Sequence, residues 1–339
     1  MSSIRRLRSE RREKRRLVMA SRSACWVGVC LILALSACST TPQAWQESGG
    51  ATHPLVGQIH RVADGRLVSE ASLLDAAAAA DFVLIGESHG NRDHHRLQAR
   101  IVSALQRDAR RPRALAFEMI SADRQLELVE YLDAHPGDAA GLGAALDWTA
   151  SGWPDWALYE PIARAALANG AEIVAADLNQ EQRRAVFDQG AQALRTSFVQ
   201  RTGLNRDFPA TLTSDLRDEL RDAHCGKAPP EVLGGMYHVQ RARDAMLADR
   251  LAAASGRAGG ILIAGNGHVR TDRGVPWYLG RLKPAARTLS IGLVEVQDDL
   301  RRPSPDLPYD YVWFTPRVGV GQDPCAAHEG DLQRLPGSG

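Results

Sequence analysis

Apolar residues along this chain fall into two rhythms. Short runs that are apolar almost throughout, "FVLIG", "RALAFEM", "AEIVAAD", "GGILIAGNG" and "RTLSIGLVEV", are followed at the end by the shorter "YDYVWF". Runs of that kind are strands buried on both faces, as in a parallel sheet. Between them lie stretches of helical period, among them "DHHRLQARIVSALQRDA", "DRQLELVEYLDAH", "WALYEPIARAALANG", "QEQRRAVFDQGAQAL" and "GGMYHVQRARDAMLADRLAAA". Ahead of the first run, "GQIHRVADGRLVS" reads as a hairpin around Asp64-Gly65, and the Ala-rich "EASLLDAAAAADF" as a helix. The alternation predicts an α/β fold, a mostly parallel sheet covered by helices on both faces. The regions from about 135 to 155 and from about 190 to 258 read as helical insertions, forming a lid or a small helical subdomain.

Ligands of such sheets bind beyond the carboxyl ends of the strands, and four expected strands end in chemically able residues. The first ends in Glu87 and His89, the second in Glu118, the third in Asp177, and a later one in Gly265 to His268, followed by Arg270. If the backbone stays extended through Ser88, Glu87 and His89 project to the same side. Asp177 is expected to cap the next helix. Arg270 is left open between pairing with Glu118 and clamping an anionic group. His94 shares a helix face with Leu97, Ile101 and Leu105 and should point inward, either as a ligand or base or as a hydrogen-bonded structural residue. His95, at the edge of that face, reads as structural.

Two chemistries suit these residues. His89, His268 and Glu118, with His94, could hold a divalent metal with a position open for water. Glu87, His89, Glu118 and His268 would then be the catalytic set of a hydrolase. Neither His-Glu-x-x-His nor Gly-x-Ser-x-Gly occurs. A haem site needs an axial donor and a large apolar cleft, for which Tyr237 and His238 on an insertion helix are the candidates. The alternative is that Tyr237 merely covers the sheet. Trp153, Trp156 and Tyr159 are wall or lid candidates that fit the core better.

The formal charge of +1 conceals an uneven distribution. The first 37 residues hold nine Lys/Arg and two Asp/Glu of the 41 and 40 present, leaving 32 basic against 38 acidic residues, a balance of −6. A nucleic-acid partner therefore lacks its electrostatic footprint. The basic segment precedes "CWVGVCLILALSAC", too short to span a bilayer as a helix and suited to an export signal. It ends in Leu35 to Cys38, which looks like the lipobox of bacterial lipoproteins, with Cys38 the lipidated residue and translation beginning at Met1 or Met19. Ser39 after it implies the outer membrane under that resemblance. The expected division is a lipoprotein signal over 1–38, a flexible tether over 39–54, an α/β domain over 55–325 with its insertion at about 190–258, and a tail over 326–339. Cys225 and Cys325 are the cysteines left in the folded part, and an oxidising compartment suggests that they form a disulfide, two buried thiols being the alternative.

"GESHGNRDHHRLQ", "ALAFEM", "GWPDWALYEPI", "AGNGHVRTDRGVPWYL" and "YDYVWFTP" together resemble the ChaN-type haem-binding lipoproteins of Gram-negative bacteria, over nearly the whole region after the tether. That group is related to Tiki and TraB proteins and more distantly to erythromycin esterases. Its marks are two Gly-x-x-His motifs, here Gly86 to His89 and Gly265 to His268, and a glutamate matched to Glu118. The ChaN resemblance implies haem as cofactor in iron uptake, a homodimer around haem and an outer-membrane haem receptor as partners, and a membrane anchor. The Tiki resemblance implies a metal-dependent peptidase using both histidines and the glutamate, with a divalent metal in place of haem.

Overall fold

The computed structural model describes residues 44–107, 112–256 and 258–319. The chain divides into Met1–Ala44 and Trp45–Gly339, and the fold belongs to the second unit. The expected lipobox, Cys38 and Cys325 lie outside the described residues. Cys225 is disulfide-bonded.

Eight strands form one sheet: β1 (Ile59–Arg61), β2 (Arg66–Val68), β3 (Phe82–Glu87), β4 (Ala114–Ser121), β5 (Ile173–Asp177), β6 (Gly260–Gly265), β7 (Thr288–Glu295) and β8 (Tyr311–Thr315). Their order is β2-β1-β8-β7-β3-β6-β4-β5. The six strands from β8 to β5 run parallel. The β1–β2 hairpin joins the edge antiparallel to β8, turning through Val62–Asp64 into a left-handed Gly65. The chain leaves central β3 toward β4 on one side and returns from β6 to β7 on the other. The carboxyl ends of β3, β6 and β4 therefore meet where the order reverses.

Ten α-helices are described: α1 (Glu70–Ala79), α2 (Arg92–Leu105), α3 (Gln125–Ala134), α4 (Leu142–Ala145), α5 (Trp156–Leu167), α6 (Gln180–Gln189), α7 (Thr196–Thr202), α8 (Ala210–Ala223), α9 (Pro230–Ala254) and α10 (Val275–Leu282). Alternate strand residues feed two cores. Val83, Ile85, Leu115 and Phe117 pack with Leu97, Ile101, Tyr159 and Ile162 on the α2 and α5 side. Leu84, Ala116 and Leu262 pack with Ala245, Ala248 and Leu251 of α9 and Tyr278 of α10 on the other. Burial of each large aliphatic side chain contributes about 1.5–3 kcal/mol, so shaving Ile85 or Leu84 would open a cavity next to the strand that carries Glu87.

Two expectations are corrected. Region 190–258 is not wholly an insertion. α9 packs on β4, β5 and β6 as the crossover from β5 to β6, and Ala242, Ala245, Ala248 and Ala252 form the small-residue stripe that lets it lie close to the sheet. α7 and α8 are the added part. Nor is 39–54 a tether along its described length. Gln46 and Glu47 donate backbone hydrogen bonds of 3.0 and 2.9 Å to the buried Asp93 carboxylate, and Gly49 bridges to Arg317. A buried carboxylate at the start of α2 gains from those donors and from the positive helix end. No helix among the described residues is long and apolar enough to cross a membrane.

Candidate functional site

Glu87 and Gly265 stand opposite each other in the β3–β6 register. Glu87 lies on the same face as Val83 and Ile85, toward α2 and α5, and is buried. Its Oε1 accepts hydrogen bonds from Tyr159 of α5 at 3.1 Å and from His89 Nδ1 at 2.7 Å. Nδ1 of His95 lies 3.3 Å from Oε2, off the line a hydrogen bond needs, and neither atom finds another partner among the described residues. Burial pushes the Glu87 pKa up, but the charge of His95 and the hydrogen bond and charge of His89 outweigh it and bring the value down to about 2.

Glu118 comes from the opposite face. Strand β4 follows β6 as far as Phe117, and a bulge before Ser121 breaks its register with β5. The freed Gly265 N–H donates to Glu118 Oε2 at 2.6 Å instead of to a backbone carbonyl. Oε1 accepts from Arg243 at 2.7 Å, and His268 Nε2 lies 3.4 Å away. His268 Nδ1 is 2.6 Å from Asp244 Oδ1, which fixes the ring. Burial disfavours the imidazolium, yet Glu118 and Asp244 on either side raise its pKa to about 10. His268 is therefore a buried cation at neutral pH.

His89 joins the two faces. Its Nδ1 holds Glu87, its Nε2 is 3.9 Å from Glu118 Oε1, and its side chain is 33% exposed. Burial lowers its pKa, but the Glu87 hydrogen bond and the charge of Glu118 raise it overall. Trp153 stands edge-on to the ring at 4.8 Å between centroids. Gly265 makes room, because a Cβ there would sit 3.0 Å from His89 Nε2. Gly86 does the same for Asn266, whose Oδ1 would be 2.2 Å from an added Cβ. The result is a line of alternating carboxylates and imidazoles, Glu87, His89, Glu118, His268 and Asp244, open to solvent at His89. Such a line can take up, hold or deliver a proton there.

The structure thus brings together Glu87, His89, Glu118 and His268, and leaves His94 out. His94 Nδ1 accepts from Ser88 N–H at 2.8 Å and its Nε2 donates to Thr315 Oγ1 at 2.8 Å. With both ring nitrogens occupied and burial lowering its pKa to about 3, it is a neutral structural residue, correcting its place among the metal ligands. His95 Nε2 lies 2.8 Å from the His89 carbonyl oxygen and so fixes the turn.

Asp177 does not cap α6, whose cap is Asn179 with Gln182 closing a capping box. Asp177 instead takes Arg243 in a bidentate grip at 2.8 to 3.1 Å. Arg270 pairs with Asp272 and Glu219 rather than Glu118. The cation at Glu118 is Arg243, which the sequence reading missed along with Asp244. Its signal was an Arg and an Asp side by side among the alanines of "RARDAM", where a helix packed on a sheet has to pair its charges. Trp156 and Tyr159 belong to the core.

Among the described residues no group of three or more His, Cys, Asp or Glu is arranged to hold a metal ion. Where His89, His268 and Glu118 converge, the guanidinium of Arg243 already supplies the positive charge.

Tyr237 is 3% exposed, packs against Phe208 and Leu216, lies beneath Arg217 and Arg241, and has its hydroxyl 3.3 Å from Thr213 Oγ1. It covers hydrophobic surface and faces no cleft, correcting its reading as a haem donor. His238 is exposed on the same helix.

A second feature lies between the α7–α8 loop and α10. A cavity of about 640 Å³ is lined by Phe208, Pro209, Trp277, Arg206, Arg281 and Asp207, with Thr202, Gly203 and Gly280. Phe208 and Trp277 meet edge-to-face at 5.1 Å, and Trp277 is 41% exposed.

The haem-binding uptake family, Tiki superfamily, ChaN, matches residues 73–279. Among solved structures, ChaN of Campylobacter jejuni, described as binding haem cofacially, has a TM-score of 0.60 at 20% identity, covering 75% of this chain and 95% of that one. The type III effector HopBA1 has a TM-score of 0.42 at 16% identity, over 78% of this chain and 99% of that one. An erythromycin esterase mutant in its open conformation has 0.37 at 13% identity, over 75% and 81%. At these identities the ChaN structure speaks for the fold, and the other two are too dissimilar to carry an argument. No curated protein matches the chain.

Proposed function

The chain belongs to the haem-binding uptake family of the Tiki superfamily, ChaN, and from that membership we propose that it is a haem-binding lipoprotein of the outer membrane acting in haem and iron acquisition. The match over residues 73–279 carries the reading, since it contains both Gly-x-x-His motifs and all of α9. The lipobox-like Leu35 to Cys38 supports the anchor. A haem needs an axial donor as well as apolar surface for its ring and cations for its carboxylates. The Phe208–Trp277 cavity with Arg206 and Arg281 offers the last two, but its lining holds no His, Tyr, Cys or Met and so does not fit the iron. Cofacial binding in the Campylobacter jejuni protein supports a second copy of this chain as partner, and an outer-membrane receptor would deliver or accept the haem.

The test is a haem titration of the full-length chain followed by absorbance. Saturable binding with a distinct Soret band is expected, and a featureless linear rise would end the reading. Replacement of Cys38 by Ser should release the chain from the membrane fraction; unchanged fractionation would remove the anchor.

One observation favours a second activity. His89, a third exposed and set between Glu87 and Glu118 beside Trp153, is placed for acid–base hydrolysis of an ester or amide. That reading needs no metal, unlike the divalent-metal hydrolase the Tiki resemblance implies. A hydrolysis screen whose activity disappears in His89→Gln would support it, and activity unchanged by that substitution would dismiss it.

A further inference from the structure

We infer that the cavity between the α7–α8 loop and α10 binds a zwitterion with an aromatic body, an aromatic α-amino acid taken free or as a short peptide. The inference goes beyond the haem-binding reading and stands without it. Three observations carry it.

The charges on the wall are free and of both signs. Arg206 and Arg281 line the cavity and are exposed, and neither guanidinium has a hydrogen bond or ion pair among the described residues. Asp207 lies on the same wall. Its side chain is 87% exposed, and its Oδ1 meets Arg241 at 3.3 Å, which leaves Oδ2 to a ligand. A purely anionic ligand would be repelled by Asp207, and a purely cationic one by the two arginines. A carboxylate and an ammonium on one molecule answer all three groups, the carboxylate through the forked guanidinium donors.

The apolar surface is aromatic and uncovered. Trp277 is 41% exposed, Phe208 meets it edge-to-face at 5.1 Å, and Pro209 continues the wall. A flat ring stacks on such a surface and takes the tryptophan out of water. The volume of about 640 Å³ is in the range of cavities that enclose a small molecule.

The wall is held in place before any ligand arrives. Arg241 is buried and donates to the carbonyl oxygens of Leu204, at 3.2 Å, and of Arg206, while its guanidinium lies 4.7 Å from the Phe208 ring. A buried cation thus fixes the loop that presents Arg206, Asp207 and Phe208, so little order has to be gained on binding. On the other wall Trp277 and Arg281 stand one turn apart on α10. The Arg281 side chain lies across Gly203, where an added Cβ would be 2.5 Å from Nε. Gly203, with φ of 74°, both ends α7 and clears that space.

The experiment is calorimetric titration of the full-length chain with L-phenylalanine and with the dipeptide of two L-phenylalanines. At least one should saturate, and the tighter of them identifies free amino acid or peptide as the source. The N-acetylated and C-amidated forms of the one that binds lack the ammonium and the carboxylate in turn. Each should be weaker by about tenfold or more, the size of a lost charge-assisted contact. Asp207→Asn should abolish the penalty for acetylation, and Arg206→Gln/Arg281→Gln that for amidation. Trp277→Ala should weaken the zwitterion by about tenfold. All four side chains are exposed, so the variants should keep the wild-type thermal transition, which is checked in parallel. Failure of both zwitterions to bind, blocked forms as tight as the free one, or binding indifferent to Trp277→Ala would each overturn the inference and leave the haem reading standing.

Discussion

Replacing Arg243 with Met removes the cation that holds two buried carboxylates from two different strands. Glu118 and Asp177 have side chains 1% exposed, and Arg243 is 16% exposed, with contacts of 2.7 and 2.8 Å to them. At an effective dielectric near 20, each such contact contributes roughly 6 kcal/mol of gross attraction. Desolvation of the three ions offsets most of that, which is why intact buried networks stabilise little. Removing one partner is a different matter, since it leaves the others desolvated and unpaired, and typically costs about 3–5 kcal/mol. Asp177 keeps Arg183 at 3.2 Å and Glu118 keeps His268 at 3.4 Å, so each carboxylate loses only part of its pairing and Arg243→Met falls at the lower end of that range. Urea unfolding, with free energies extrapolated to water, measures it. The triple variant Arg243→Met/Glu118→Gln/Asp177→Asn should recover most of the loss, because it removes the charges together with their counter-ion. A single-variant loss below about 1 kcal/mol, or a triple variant no better than the single, would refute the view that this network is a closed, mutually dependent unit.

The pH dependence has two sides. His268 is protonated in the fold to about pH 10 against an ordinary 6.5, so the native state binds one more proton across that window. Stability should then fall as pH rises from 6.5 to 10, with a slope approaching 1.4 kcal/mol per pH unit. His268→Gln should flatten that slope, and an unchanged alkaline profile would contradict the assignment. His94 is held neutral to about pH 3, so the unfolded chain gains a proton first and stability drops as pH falls from 6.5 to 3. Glu87 adds to the acid loss between its ordinary 4.5 and about 2. In His94→Gln the decline should begin nearer pH 4.5; onset still at 6.5 would show that another group carries it. Tyr159→Phe deletes the hydroxyl donor to Glu87, for a loss of about 1.5–3 kcal/mol, and thermal unfolding that shows none would mean water replaces the hydroxyl.

Much of this was legible in the sequence, for identifiable reasons. β3 and β6 announce themselves because both their faces are buried, which leaves no polar position to break the run. Glu87, Glu118 and His268 were found because a parallel sheet must gather its carboxyl ends, whatever the distance between them in the chain. Arg243 and Asp244 were not found, because which face of α9 meets the sheet is fixed by its alanine stripe, and its charges lie within the same turns. Tyr237 misled for a related cause: a tyrosine on a helix gives no sign in sequence of whether α8 will close over it. The Phe208–Trp277 cavity was invisible, since it joins a loop and a helix about 70 residues apart.

Arg243 also decides how the two family resemblances divide. His89 and His268 turn their Nε2 atoms toward the same oxygen of Glu118, at 3.9 and 3.4 Å, yet the three are not arranged to hold a metal ion. A guanidinium already occupies that carboxylate at 2.7 Å, and a dication arriving beside it would meet both that charge and the protonated His268. The residues that the Tiki resemblance would assign to a metal thus stand here in a form that neutralises itself. Arg243→Ala should expose the difference. If the guanidinium is what keeps divalent ions out, the variant should bind Zn²⁺ by calorimetry where the wild type binds none, and the bound ion should restore part of its lost stability. A variant as indifferent to Zn²⁺ as the wild type would mean that the imidazoles themselves, tied to Glu87 and Asp244, are committed to charge rather than to ligation.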